Sequence, residues 1–363
     1  MSAAHTIAVD AVPATGPEGP VRVLVVDDSP TVRAVMARII GAERDLEVAA
    51  TDGSAESALA TLQRTTADVI MLDLDMPGMG GLEAIPKMLK ASQPARILVV
   101  SALAERGAEH TLNALSLGAA DTLAKPRAGE FDAAYRALLL RKVRLLGRVA
   151  RRVRMRTGNA PSRPLLRSYP REVPDVLAIG ASTGGIHALG RLLASLPQRL
   201  ALPILVTQHL PGTFTDAFIR QLHNASGRAT LVAKDGTVVL PGQILVAPGD
   251  AHLTVAADRR GAVVKLETNP APSGCRPSVD PMFASIAQVY GAHALGVVLS
   301  GMGRDGAIGA ERIVAAGGTI MAQDAASCAV WGMPGAVVEA GLASAILPPE
   351  QLAMRIVAAS ETR

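Results

Sequence analysis

Three residues that could share one reaction each close a different apolar run in the C-terminal half of the chain. Ser182 follows the run Val176–Ile179 after Gly180 and Ala181, His209 follows Ile204–Gln208, and Asp305 follows the segment that begins at Val297. A serine hydroxyl needs a base to lose its proton, and imidazole suits that task near neutral pH. The imidazole in turn needs a carboxylate to fix its tautomer and stabilise its cation. Gly180 and Gly184 flank Ser182 as G-x-S-x-G, the strand-to-helix turn that exposes a nucleophile beside backbone N–H donors. Taken alone the turn is ambiguous, because a glycine-rich turn after a strand cradles a phosphate equally well. His209 alone could be structural, and Asp305 alone could cap the next helix. All three at strand ends of one domain favour a nucleophile, with backbone amides near Thr183 and Met302 as candidate oxyanion donors. The order Ser182, His209, Asp305 differs from the Ser, acid, His order of the usual G-x-S-x-G hydrolases.

The N-terminal half carries a second set at its own strand ends. Asp27 and Asp28 follow Val21–Val26, Asp73 follows Val69–Leu72, Ser101 follows Ile97–Val100, and Lys125 follows Asp121–Ala124. Three carboxylates converging on one sheet edge repel unless a hard cation sits among them, and Mg²⁺ is the natural candidate. A cation beside one accessible carboxylate suits phosphoryl transfer onto that carboxylate, with Ser101 and Lys125 holding the phosphoryl oxygens. A single strand-end aspartate would be read as a helix cap. The full ordered set outweighs that reading.

The elements that must position these residues follow from periodicity. From Val21 to Arg127 short apolar runs, including Leu46–Ala50, alternate with helix-period segments such as Val32, Val35, Met36 and Ile39. The pattern predicts an α/β fold with a doubly wound, five-stranded parallel sheet over residues 21–128. Residues 172–363 alternate again, with further runs at Leu231–Ala233, Ile244–Ala247, Ala294–Leu299, Thr319–Ala322 and Ala345–Leu347 and a β-hairpin near Ala251–Leu266. They predict a second parallel-type sheet with a hairpin insertion. In such sheets chemistry collects at the carboxyl ends of the strands.

Composition agrees with two domains. The chain has 363 residues, 49% apolar but only 2% aromatic, so its cores must be built from Ala, Val, Leu and Ile. Cys275 and Cys328 are the only cysteines, which points to a reducing compartment and no disulfide framework. Residues 1–20 lack the pattern of a signal peptide and read as a disordered tail. No apolar run reaches membrane-spanning length, so no membrane insertion is expected, and the reducing compartment expected is the cytoplasm. The net charge of +4 is local: twelve Lys and Arg and no acid lie between Arg136 and Arg171. Residues 129–171 read as a helix followed by an Arg-rich linker, solvated rather than bound to nucleic acid. No helix-turn-helix or zinc-finger pattern follows, and aromatic stacking residues are few, so no nucleic-acid partner is expected. A nucleotide-binding reading of the Ser182 turn lacks the Lys-Ser/Thr of a P-loop.

Residues 21–127 resemble the receiver domain of response regulators, on VLVVDDSP, MLDLDMPGMGGL, Ser101 after ILVV, and Lys125-Pro126. That resemblance implies Asp73 as phosphoacceptor and Mg²⁺ held by Asp28, Asp73 and the backbone carbonyl of Asp75, supported by Asp27. One position departs from the pattern: Thr122 stands where receivers usually carry Phe or Tyr. The chain from Val21 onward is similar to the CheB family of protein-glutamate methylesterases, on IGASTGG, QHLPGTFT, LVAPGDAHL, CRPSVDPMF, LSGMGRDGA and VWGMPGAV. The family resemblance implies Ser182 as nucleophile, His209 as base and Asp305 as its orienting acid, with Thr183 and Met302 shaping the site. Arg276, Pro277, Ser278 and Asp280 match a stretch of site architecture, and His252 has a counterpart of unassigned role. The implied substrates are glutamate methyl esters, and also glutamines, on methyl-accepting chemoreceptors. The implied phosphodonor is a chemotaxis histidine kinase, and the receiver would restrict the esterase until phosphorylated. No cofactor is expected in the esterase site, where the sequence shows no His/Cys cluster at ligand spacing.

Overall fold

The computed structural model describes residues 19–101, 105–125, 131–155, 166–168 and 172–361. Most of the expected N-terminal tail, Pro126 and most of the Arg-rich linker beyond residue 155 lie outside the described residues.

The first sheet is formed by β1 (Val21–Val26), β2 (Leu46–Asp52), β3 (Val69–Asp73), β4 (Arg96–Ser101) and β5 (Asp121–Ala124), all parallel, in the order β2-β1-β3-β4-β5. The crossover helices are α1 (Pro30–Gly41), α2 (Ala55–Leu62), α3 (Gly80–Ala91) and α4 (Glu105–Ser116). The start of α1 is legible in sequence. Ser29 accepts a bond from the Val32 amide, and Pro30 occupies the first turn, where its missing N–H costs nothing. Strand order reverses between β1 and β3, so Asp27, Asp28 and Asp73 meet at the switch point.

Helix α5 (Ala133–Met155) is the helix expected between residues 129 and 171, but it is not a free connector. It packs against β1, β3 and β4, burying Leu139, Val143 and Leu146. Several of its arginines are correspondingly engaged rather than merely solvated. Arg144 pairs with Asp45 and Glu43, Arg136 with Glu43, and Arg151 with Asp68. Docking an amphipathic basic helix across the sheet brings its flanks against acids that lie far away in sequence.

The second sheet has seven parallel strands: β6 (Val176–Ala181), β7 (Ile204–Gln208), β8 (Thr230–Val232), β9 (Ile244–Val246), β12 (Ala294–Val298), β13 (Thr319–Gln323) and β14 (Ala345–Leu347). Their order is β14-β13-β12-β6-β7-β9-β8. The hairpin β10 (His252–Asp258) and β11 (Gly261–Glu267) stands apart as a two-stranded antiparallel ribbon. Helices α6 (Gly185–Ala194), α7 (Thr215–Ser226), α8 (Val279–Tyr290), α9 (Ala307–Ala315), α10 (Met333–Glu339) and α11 (Pro349–Glu361) complete the layers. The chain winds from β6 to β7 on one side and returns through β12 on the other, so a second switch point falls at β6.

The two halves share apolar core. Leu112 and Leu115 of α4, Ile186 and Leu189 of α6, and Phe214 and Phe218 at α7 belong to one continuous buried cluster. Arg96 of β4 also donates to the carbonyls of Cys328 and Ala329, at 3.1 and 3.2 Å. No helix among the described residues is long and apolar enough to cross a membrane.

Candidate functional site

Ser182, His209 and Asp305 come together outside the carboxyl ends of β6, β7 and β12. Ser182 sits on a turn held from three directions. Its amide donates to Ser300 O at 3.0 Å. Its carbonyl accepts from Gly185 N at 2.8 Å and Gln208 Nε2 at 2.9 Å. Gly184 has φ +73°, and a Cβ there would collide with Ala329 and lie 2.8 Å from Ser300 Oγ. Only glycine enters α6 by this route. At Gly301 a Cβ would lie 2.9 Å from Ser182 Cβ, so two backbones can approach the hydroxyl only because both carry glycine.

His209 presents Nδ1 to Ser182 Oγ at 3.1 Å and Nε2 to Asp305 Oδ2 at 2.7 Å. This is the reverse of the ring orientation in the Ser-His-Asp template, where Nδ1 faces the acid. Asp305 is buried and fully engaged. Its Oδ1 accepts from Ser278 Oγ at 2.7 Å and Asp280 N at 3.3 Å, and its Oδ2 also accepts from Val279 N at 2.8 Å. Burial opposes its ionisation, but the bonds from His209, Val279 N and Ser278 outweigh it and hold the carboxyl well below the usual carboxylate range. Burial likewise disfavours the imidazolium, yet Asp305 and Cys275 push His209 up to about 9. Burial, reinforced by the Asp305 charge, pushes neighbouring Asp280 up to about 6.

The Arg276–Asp280 stretch is the scaffold of Asp305. Ser278 supplies a hydroxyl, and the amides of Val279 and Asp280 complete the cradle. Buried His252 stands one shell further out. Its Nδ1 accepts from Ser278 N at 2.9 Å and its Nε2 contacts Asn269 O at 2.8 Å. The amides of Thr183 and Met302 make no backbone hydrogen bond among the described residues. The Thr183 carbonyl is fixed by Ser300 Oγ at 2.8 Å.

Two participants escaped the sequence reading. Gln208 is 4% exposed and bonds the Ser182 carbonyl; its position beside His209 was its only signal. Cys275 brings Sγ within 4.8 Å of both a His209 nitrogen and an Asp305 oxygen. The sequence showed no His/Cys cluster at ligand spacing because the three residues lie on three separate loops.

Ser182 and His209 open into a cavity of about 370 Å³ whose far wall is the first half of the chain. Thr111, Leu115, Asp121, Thr122 and Lys142 line that wall. Asp121 Oδ2 accepts from Thr183 Oγ1 at 3.4 Å and from Lys142 Nζ at 2.6 Å. Thr122, at the position where receivers usually carry Phe or Tyr, lines this cavity on the side of the first half.

At the other switch point the carboxylates of Asp27, Asp28 and Asp73 approach within 4.8 Å of one another. Lys125 Nζ lies 2.5 Å from Asp73 Oδ2 and 2.9 Å from Asp27 Oδ2. Asp75 donates its amide to Asp73 Oδ1 at 3.2 Å, and buried Ser101 ends β4 beside β5. Burial, only partly offset by Lys125, raises the pKa of Asp73. An all-oxygen donor set of this charge fits a hard divalent cation.

Residues 177–356 match the family model described as CheB methylesterase, and residues 23–135 match that of the response regulator receiver domain. The protein-glutamate methylesterase/protein-glutamine glutaminase of Azospirillum brasilense is 42% identical over 366 residues, spanning 93% of this chain and 93% of that protein. A second such protein, from Caulobacter vibrioides, is 45% identical over 337 residues, spanning 91% and 96%. The crystal structure of the Thermotoga maritima CheB methylesterase catalytic domain superposes with TM-score 0.50 and 34% identity, covering 52% of this chain and 99% of that one.

Proposed function

The chain belongs to the CheB family of regulated methylesterase/deamidases of chemotaxis, and on that premise we propose that Ser182, His209 and Asp305 perform its hydrolysis. The observation that carries this reading is the continuous path Ser182 Oγ, His209 Nδ1, His209 Nε2, Asp305 Oδ2, with contacts of 3.1 and 2.7 Å. Ser182 attacks the γ-carbonyl of a glutamate methyl ester while His209 Nδ1 takes its proton. The oxyanion faces the Thr183 and Met302 amides. The Nδ1 proton then passes to the departing methoxide, and methanol leaves. A water deprotonated at the same nitrogen releases the glutamate. A glutamine side chain follows the same course with ammonia as leaving group. Asp305 stabilises the imidazolium formed in each half-reaction.

The substrates on this reading are glutamates and glutamines of methyl-accepting chemoreceptors, which places the enzyme in the cytoplasm. Asp73 is the phosphoacceptor, supplied by a chemotaxis histidine kinase, with Ser101 and Lys125 on the phosphoryl oxygens. Asp28, Asp73 and the Asp75 carbonyl, supported by Asp27, would hold Mg²⁺, which neutralises phosphoryl charge during transfer. The regulatory unit comprises residues 21–128 together with α5, and the catalytic unit residues 172–363.

The cavity supports receiver gating. Its far wall, formed by Thr111, Leu115, Asp121, Thr122 and Lys142, stands opposite Ser182 and His209, on the side from which a receptor helix has to present its ester. Methanol release from methylated receptor membranes tests both parts. Ser182→Ala should abolish it, and a small phosphodonor should raise it in the intact chain but not in Asp73→Asn. Full activity in Ser182→Ala would remove the nucleophile assignment.

A further inference from the structure

Cys275 belongs to the loop between β11 and α8 and is half-buried, its amide on Ser273 Oγ at 3.3 Å. Its Sγ, a His209 ring nitrogen and an Asp305 oxygen all lie within 4.8 Å of one another. Thiolate, imidazole and carboxylate are the three side-chain donors of zinc, and three protein ligands plus one open position are the usual form of a reactive zinc site. We propose that the hydrolytic centre is also an inhibitory Zn²⁺ site formed by His209, Cys275 and Asp305, with water in the fourth position.

The donors must reach tetrahedral spacing. Zinc–ligand bonds of about 2.0–2.3 Å place tetrahedral donors roughly 3.3–3.8 Å apart. The His209–Asp305 contact, now 2.7 Å, has to open by well under 1 Å, and the thiol, now within 4.8 Å of both partners, has to close to the same spacing. Asp305 keeps its bond from Ser278 on the other oxygen.

Binding stops the reaction by moving one proton. In the active form Nε2 carries hydrogen toward Asp305 and Nδ1 offers its lone pair to Ser182. Zinc on Nε2 transfers that hydrogen to Nδ1, and the Cys275 thiol releases its own proton to solvent. Nδ1 then donates where it must accept, and Ser182 keeps its proton. The donor sets also sort the metals. The all-oxygen cluster around Asp73 suits Mg²⁺, while the mixed nitrogen, sulfur and oxygen set suits Zn²⁺.

Inhibition rests on His209 being the base, whereas metal binding does not, and one experiment separates them. The intact chain in saturating Mg²⁺ is titrated with Co²⁺ as probe, then with Zn²⁺ as competitor, while methanol release is followed in parallel. A thiolate-to-cobalt charge-transfer band is expected, displaced by Zn²⁺ and absent in Cys275→Ser. The Zn²⁺ concentration for half-inhibition should rise at least tenfold in that variant, measured against its own metal-free rate. Absence of the band, its persistence in Cys275→Ser through buried Cys328, or equal zinc sensitivity of both proteins overturns the site. A band without inhibition overturns the proposal on a different ground, since metal would then bind a histidine that is not the base.

Discussion

His209 turns Nε2 rather than Nδ1 toward Asp305: Nε2 and Oδ2 are 2.7 Å apart, and Nδ1 is left 3.1 Å from Ser182 Oγ. The acid therefore selects a tautomer opposite to that of the common template, but for the same purpose. Asp305→Asn would place an amide N–H or a neutral carbonyl against Nε2 and lose that selection. The expected result is a fall in kcat of about 10⁴ with little change in KM, as loss of tautomer control gives elsewhere. Steady-state methanol release checks it, with an unchanged circular dichroism spectrum as the folding control.

The pH profile should be displaced upward. His209 is pushed from its ordinary 6.5 to about 9, so the imidazolium persists and the free base accumulates only as pH rises through that range. In metal-free buffer, kcat/KM of the unphosphorylated chain should climb between pH 7 and 9. Linkage runs the other way for stability. The imidazolium–Asp305 contribution is complete below about 6.5 and is lost as pH rises through about 9. Rate measurements and urea midpoints over one pH series should move in opposite directions.

Asp121 ties the regulatory half to the hydrolytic loop through Thr183 and is itself held by Lys142. Asp121→Ala removes the tie without touching Ser182 or His209. A hydrogen bond of this kind contributes about 1 kcal/mol, so basal methanol release should rise roughly two- to fivefold. The rate with phosphodonor should stay the same, shrinking the activation ratio. An unchanged ratio would show that the contact does not restrain the receiver.

Gly184 tests the turn itself. Alanine at φ +73° costs about 1–2 kcal/mol in backbone strain, and its Cβ has nowhere to go between Ala329 and Ser300. Gly184→Ala should lose at least about 2 kcal/mol in urea unfolding and most of its activity. Gly236 also has positive φ, but no atom lies within 4 Å of a Cβ there, so Gly236→Ala should cost only the strain.

Sequence periodicity located all twelve strands of the two parallel sheets within one or two residues, because each is a short apolar run between turn signals. Ser182, His209 and Asp305 were legible for a related reason: the first two directly follow β6 and β7, Asp305 lies on the loop after β12, and strand ends are where such sheets converge. What stayed hidden depended on long-range placement. The ring orientation of His209 is a matter of side-chain rotation. Cys275 lies in a loop with no periodicity, and only the Arg276–Asp280 cradle brings it to His209. The engagement of α5 could not be read from its charge run, because its acidic partners Glu43, Asp45 and Asp68 lie in another part of the chain. Thr122 stood out as an exception to a pattern, but only the fold shows that its strand faces the hydrolytic cavity.

The continuous apolar seam between α4 and the α6–α7 layer makes the brake a thermometer. Freeing Ser182 for a bulky substrate uncovers Leu112, Leu115, Ile186 and Phe214, which are at most 8% exposed when closed. The force that closes such a seam weakens on cooling. The unphosphorylated chain should therefore leak proportionally more in the cold. Its methanol release, divided by that of the phosphodonor-treated enzyme at each temperature, should rise as temperature falls. Restraint on Ser182 would then depend on temperature as well as on phosphate at Asp73.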